Sequence, residues 1–190
     1  MDGSSQKELS FLPSRGGYKS LRVYRVAEII YDVTFAFTSR FLNHGDRTVD
    51  QMIQAARSGK QNIAEGSKAS STSTETEIKL TNVAKASLEE LLIDYEDYLR
   101  VRNLGQWNAG HPRYQKMREY CKSDSIMNNY RMLLPKLNDE EMGNLALTLI
   151  NQATYMLRRL IDKQQEMFLK HGGIREQMMQ ARLAYRNNRK

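Results

Sequence analysis

A single cysteine, Cys121, means that no disulfide can form within the chain, so packing and hydrogen bonds must hold the fold. The plain reading is a reduced intracellular thiol with no nucleophilic role, since no local motif surrounds it. Proline is nearly missing as well. Pro13, Pro112 and Pro135 all lie outside the long periodic segments, which leaves long helices permitted. No apolar run approaches the ~18 residues of a membrane span. The opening stretch MDGSSQKELSFLPSRGG has neither the basic region nor the apolar run of a signal peptide. A cytoplasmic protein without membrane contact is expected.

Metal-binding patterns are also missing. His44, His111 and His171 each sit beside glycine or proline in a turn, and no Glu-x-x-His occurs. Such a set forms neither a zinc site nor a carboxylate-bridged di-metal site. Gly16-Gly17 and Gly172-Gly173 are turns rather than phosphate loops, because the Gly-x-x-x-x-Gly-Lys pattern is absent. No cofactor is expected, and no local pairing of nucleophile with base points to an enzyme.

What the chain does have is helical periodicity. Residues 1–17 read as a flexible polar arm. A first helix is expected over Ser20–Phe41, where Val23, Val26, Ile30, Val33 and Phe37 recur at spacings of three and four. Its β-branched and aromatic residues lower intrinsic helix propensity, so tertiary packing must hold it. A second helix is expected over Thr48–Ala69. Its apolar line becomes small along Ala55, Ala56, Ser58, Gly59 and Ala64, which permits close approach by a neighbour. A glycine at 59 costs roughly 1 kcal/mol of helix propensity, and a packing reason is the expected offset. Ser73 or Thr74 is placed to cap a third helix, about Thr74–Arg102, roughly 40 Å long and acidic on its outward face at Glu89, Glu90, Asp94, Glu96 and Asp97.

Residues 103–138 are irregular, and short packed helices over 113–122 and 125–134 are expected there. Asn138-Asp139-Glu140-Glu141 supplies a cap for a fourth long helix to Lys170, with Met142, Leu145 or Ala146, Leu149, Ala153, Met156, Leu160, Gln164 and Met167 on its apolar line. A short basic helix from Ile174 to about Tyr185 closes the chain. The expected fold is all-α: an antiparallel up-and-down four-helix bundle over 18–170, with a helical insertion at about 103–138 between helices 3 and 4 and a basic extension over 171–190.

The net charge is +7 and uneven. Residues 158–190 hold Arg158, Arg159, Lys163, Lys170, Arg175, Arg182, Arg186, Arg189 and Lys190 against Asp162, Glu166 and Glu176, which accounts for +6 of it. Such a patch suits an anionic partner, nucleic acid above all, or serves solubility. Arg57 and Lys60, beside the small-residue stripe, suit a shared surface or pore in an oligomer, or plain solvated charge. Tyr95, Tyr98, Tyr114, Tyr120 and Tyr130 interleave with Arg100, Arg102, Arg113, Arg118 and Arg131. That mixture fits stacking on single-stranded nucleic acid, a protein interface, or structural packing. Glu65, three residues from Asn62 near the apolar line, reads as a buried carboxylate accepting hydrogen bonds from a basic neighbour or a helix terminus, with a catalytic acid as the alternative.

Two stretches go beyond generic patterning. They are Tyr18-Lys19-Ser20-Leu21-Arg22-Val23-Tyr24-Arg25-Val26-Ala27 and Gln54-Ala55-Ala56-Arg57-Ser58-Gly59-Lys60-Gln61-Asn62-Ile63-Ala64-Glu65-Gly66. Together they resemble the bacterial four-helix bundle family of the ribosomal RNA intervening-sequence protein and the diversity-generating retroelement accessory variability protein. Ser58, Asn62, Ile63, Ala64, Glu65 and Gly66 match the family's helix 2 motif, Gly59 stands where isoleucine is usual, and Ser87-Leu88-Glu89-Glu90-Leu91 occupies its helix 3 pattern. The resemblance covers residues 18–102 and is nearest to members with a C-terminal suffix. It implies a non-enzymatic homo-oligomer, a barrel-shaped pentamer, with basic surfaces that bind nucleic acid and a reverse transcriptase or other protein. A structural scaffold without nucleic-acid binding is the alternative.

Overall fold

The computed structural model describes residues 17–43 and 45–187, so the N-terminal arm up to 16, His44 and Arg189 lie outside the described residues. Every regular element among the described residues is helical. A 3-10 turn over Tyr18–Ser20 leads into α1 (Arg22–Phe41), α2 (Arg47–Ala69), α3 (Thr74–Val101), α4 (Tyr114–Lys122), α5 (Asp124–Leu133), a second 3-10 turn over Leu134–Lys136, α6 (Asp139–His171) and α7 (Ile174–Asn187).

The helix starts are set by local chemistry. The Asp46 side chain accepts from the Thr48 amide at 2.9 Å, and the Ser73 hydroxyl accepts from the Thr76 amide at 3.1 Å. At the start of α6, Asn138 and Glu141 form a reciprocal capping box. Each arrangement satisfies amides that have no partner inside their helix. The α1–α2 connection turns at Gly45 with φ +96°, and α3 ends at Asn103 with φ 54°, a left-handed conformation that asparagine tolerates.

The long helices pack in a closed ring: α1 against α2, α2 against α3, α3 against α6, and α6 against α1. Side-chain partners fix their directions. Ser58 Oγ meets Ser87 Oγ at 2.9 Å, and Gly66 faces Glu77 and Leu80, so α2 and α3 run antiparallel. Gln164 donates to Thr81 Oγ1 at 3.2 Å and Tyr98 to Asp139 at 3.2 Å, so α3 and α6 do too. Between α1 and α3 the pairs Thr34–Tyr95 and Phe37–Tyr98 advance together, which makes these helices parallel, as diagonal members of such a ring must be.

The β-branched and aromatic residues of α1 are used in this centre. Phe37 makes edge contacts with Tyr95 at 4.9 Å and Tyr98 at 4.6 Å between centroids, and the buried Tyr95 hydroxyl donates to Thr34 at 3.1 Å. Tertiary contacts of this kind outweigh the weak propensity of the segment.

The small residues of α2 are explained by α3. A side chain at Gly59 would stand 2.7 Å from Leu88 Cδ2 and 2.8 Å from Leu88 Cγ, and Leu88 is itself fully buried. The small-residue stripe is therefore filled from within the chain. Asn62 donates to the Ser58 carbonyl at 2.9 Å and to its hydroxyl at 3.2 Å, which orients the serine toward Ser87.

The structure departs from the sequence reading in three places. Glu65 is exposed: it lies two positions past Ile63 and falls on the solvent side of α2, so it is not a buried carboxylate. Arg102, expected to end the third helix, lies one residue past α3 and is exposed, with Leu99 as the last buried position of that helix. Along α6 the core line runs Ala153, Leu157, Ile161 and Gln164 rather than through Met156, Leu160 and Met167. A 3.6-residue turn drifts from a strict heptad, and spacings of four absorb the drift here.

Introducing a branched side chain where Leu88 is seated leaves that leucine no space. Gly59→Val is expected to cost about 2 kcal/mol, since overpacking typically costs ~1–3 kcal/mol. Urea unfolding followed by circular dichroism measures it; unchanged stability would show that the α2–α3 distance is not set there.

Candidate nucleic-acid interface

Residues 103–113 have no regular structure, yet the side chains of α6 tie their backbone down. Asn144 donates to the Gly105 carbonyl at 2.7 Å and accepts from the Trp107 amide at 2.7 Å. Glu140 accepts from the Gly105 amide at 3.0 Å and from the Trp107 indole at 2.9 Å. Two side chains one turn apart on α6 thus satisfy polar groups that the buried Trp107 would otherwise strand. The indole bond, then the Gly105 amide, hold the Glu140 carboxyl below its ordinary range.

Beyond this strap, α4 packs on α6 and α5 on α1. Cys121, Ile126 and Tyr130 are their buried anchors, and Leu134 is buried in the turn after α5. Arg40 donates to the carbonyls of Leu134 and Leu137 at 2.6 and 2.9 Å, and Asp32 accepts from Tyr130 and Arg131 at 2.5 and 3.0 Å. Cys121 is buried, and that burial pushes its thiol up to about 12.

The docking of α4 against α6 leaves a groove of about 620 Å³ on that side of the molecule. Tyr114, Arg118 and Lys122 of α4 line it from one side, Gln152 and Tyr155 of α6 from the other, and Trp107 also contributes to the lining. Among the described residues no carboxylate lines it. Arg118 lies 5.4 Å from the centre of the Tyr114 ring, and Arg158, one turn along α6, lies 5.5 Å from that of Tyr155. Tyr155 is 56% exposed. Aromatic faces, guanidinium groups and amides converge here with nothing anionic among them, which is the chemistry that stacks bases and meets phosphates.

The basic residues marked in the sequence do not gather into one patch. Arg57 is exposed on α2, and Lys60 is half-buried with its ammonium 4.2 Å from the centre of the Tyr31 ring. Since α2 lies diagonally across the ring from α6, these two stand apart from Arg158 and Arg159, both exposed on α6. Arg175, Arg182 and Arg186 are exposed on α7 at spacings of seven and four, hence on one face. No residue of α7 is buried, and Met178, Met179, Leu183 and Tyr185 remain about half exposed or more.

The interleaved tyrosines divide. Tyr95, Tyr98 and Tyr130 are core residues, while Tyr114 lines the groove. Lys122 and Tyr155 were not marked by the sequence reading. The available signal was the pairing of tyrosine and arginine at helical spacing, Tyr114 with Arg118 and Tyr155 with Arg158.

Among the described residues no group of three or more His, Cys, Asp or Glu side chains is arranged to hold a metal, and no helix is long and apolar enough to cross a membrane. No protein-family model matches the chain, and neither any curated protein nor any solved structure is significantly similar to it.

The Glu140 contact has a pH signature. A carboxyl held below its unfolded range stabilises the fold above that range, and the contribution is lost as pH falls through the folded value. Glu140→Gln is expected to lower the melting temperature at neutral pH, with the gap to the parent protein closing in acid. Emission of Trp107, the sole tryptophan, should report loosening of the strap. A gap independent of pH would mean that the charge of Glu140 is irrelevant.

Proposed function

We propose that the chain is a non-enzymatic oligomeric adaptor that binds single-stranded nucleic acid. We infer an antiparallel up-and-down four-helix bundle, with α4 and α5 as a helical insertion between its third and fourth helices and α7 as a basic extension. The observation that carries the reading is the carboxylate-free groove between α4 and α6, with its tyrosine–arginine pairs. The exposed arginine line of α7 supports it as a further phosphate-contacting surface. The resemblance over residues 18–102 supports a homo-oligomer, with the pentamer as its expected form, and a reverse transcriptase or another protein as a second partner. The cytoplasm is the proposed compartment, in keeping with a lone buried thiol.

A scaffold that binds only protein is the second reading, favoured by the apolar side chains of α7 that the chain itself does not bury.

Fluorescence anisotropy of labelled single-stranded RNA and DNA, titrated across a salt series, separates the two. The nucleic-acid reading expects the logarithm of the affinity to fall linearly with the logarithm of salt, by about 0.7 per phosphate contact. Tyr155→Ala should weaken binding by about 1–3 kcal/mol with the slope retained. Arg118→Glu with Arg158→Glu should make the slope shallower. No binding at low salt would sink the nucleic-acid reading and leave the scaffold.

A further inference from the structure

We propose that a second groove, bounded by α4, α5 and the N-terminal end of α6, is a binding site for a single-chain amphiphile with one anionic head group. The inference is independent of the nucleic-acid reading.

The groove has a volume of about 720 Å³, within the range of small-molecule sites, and its exposed lining is mostly apolar. Trp107, Met117, Tyr120, Leu133 and Leu137 contribute to that lining, and Met132, at 70% exposure, adds more apolar surface at solvent. A folded chain gains by covering such surface, and the described residues leave it open.

The charges of the lining select the occupant. Among the described residues Arg113, Lys116 and Lys136 are its cations and Glu141 its sole carboxylate. Glu141 is already engaged: it accepts from Arg113 at 2.5 Å and from the Asn138 amide at 3.1 Å in the α6 cap. Lys116 and Lys136 make no ion pair among the described residues. Two uncompensated ammonium groups beside an apolar slot match a carboxylate or phosphate head on a hydrocarbon body. They oppose the apolar helix closest to hand. On α7 of a second copy the exposed cations Arg175, Arg182 and Arg186 would approach groups of like charge. A polyanion lacks the continuous apolar body that a carbon-lined slot rewards.

Trp107 supplies the readout, because it lines the groove and is the only tryptophan in the chain. Hexanoate, octanoate and decanoate, each kept monomeric, are titrated into the full chain while indole emission is followed. Saturable responses are expected, with affinity rising by up to roughly fourfold per added methylene. Decanol should bind at least about tenfold more weakly than decanoate, a step of ~1.4 kcal/mol. Lys116→Glu with Lys136→Glu should remove that preference while leaving the decanol response in place. Both lysines are exposed, and the pair Lys116→Gln with Lys136→Gln repeats the test should the charge reversal disturb folding. Three results would overturn the proposal: no saturable response to decanoate, equal affinity for acid and alcohol, or an acid preference that survives both double variants. A response confined to anionic phospholipid vesicles would overturn it in favour of a membrane surface.

Discussion

Where α2 carries no side chain, at Gly59, Leu88 of α3 fills the space, so the distance between these helices is set by a leucine lying almost against backbone. The rest of the interior is arranged around that contact. Two turns on, a side chain at Gly66 would stand 3.4 Å from the Glu77 carbonyl and from Leu80, a looser approach than at Gly59, and the Ser58–Ser87 bond gives the polar groups at this seam their partner. With α2 and α3 drawn together, α1 and α6 must supply the bulk on the far side. They do so with Phe37, Ile30, Met142, Leu145 and Leu149, all fully buried. Close packing on one side and large side chains on the other let a core reach interior density without voids.

A different economy governs the segment after α3. Its backbone has no helix to satisfy it, and it runs beside a buried indole. Asn144 and Glu140 provide the missing hydrogen bonds, and in doing so they fix Trp107 as a wall shared by two grooves. On one side of the wall the lining is amides, tyrosines and cations; on the other it is mostly apolar, with Lys116 and Lys136 among its residues. Both surfaces include Trp107 and lie beside α4, which packs on α6 while α5 packs on α1.

The helices were legible in the sequence because three-four spacing, caps and breakers agreed. Ser73, Asn138 and Glu141 act as the caps that their positions suggested, and the short helices between α3 and α6 lie within a residue or two of expectation. Which face a residue occupies was less legible. Glu65 is three positions from Asn62, which suggested a shared face, but it is only two from the buried Ile63, which turns it to nearly the opposite side of the helix. In α6 a heptad template and a 3.6-residue turn diverge after Ala153, so Leu157 and Ile161 took the places expected of Met156 and Leu160. The small-residue stripe showed correctly that something approaches α2 closely, but one chain cannot show whether that neighbour is its own helix. The grooves were the least legible part, because residues such as Arg118 and Tyr155 meet only once α4 has docked on α6. No periodicity encodes that docking.

The ring of helices also orders events in time. Three of its four contacts join helices that follow one another along the chain, with only the α4–α5 excursion between the last two. The fourth contact, α1 with α6, links residues that start far apart. Chains whose contacts are mostly local fold quickly, because little loop entropy is spent before each contact is rewarded. Growth through α1, α2 and α3 can therefore proceed by short closures, with the seam between α1 and α6 sealed at the end. Asp32 and Arg40 add another distant closure, since they bind α5 and the turn after it to α1 across almost a hundred residues of chain.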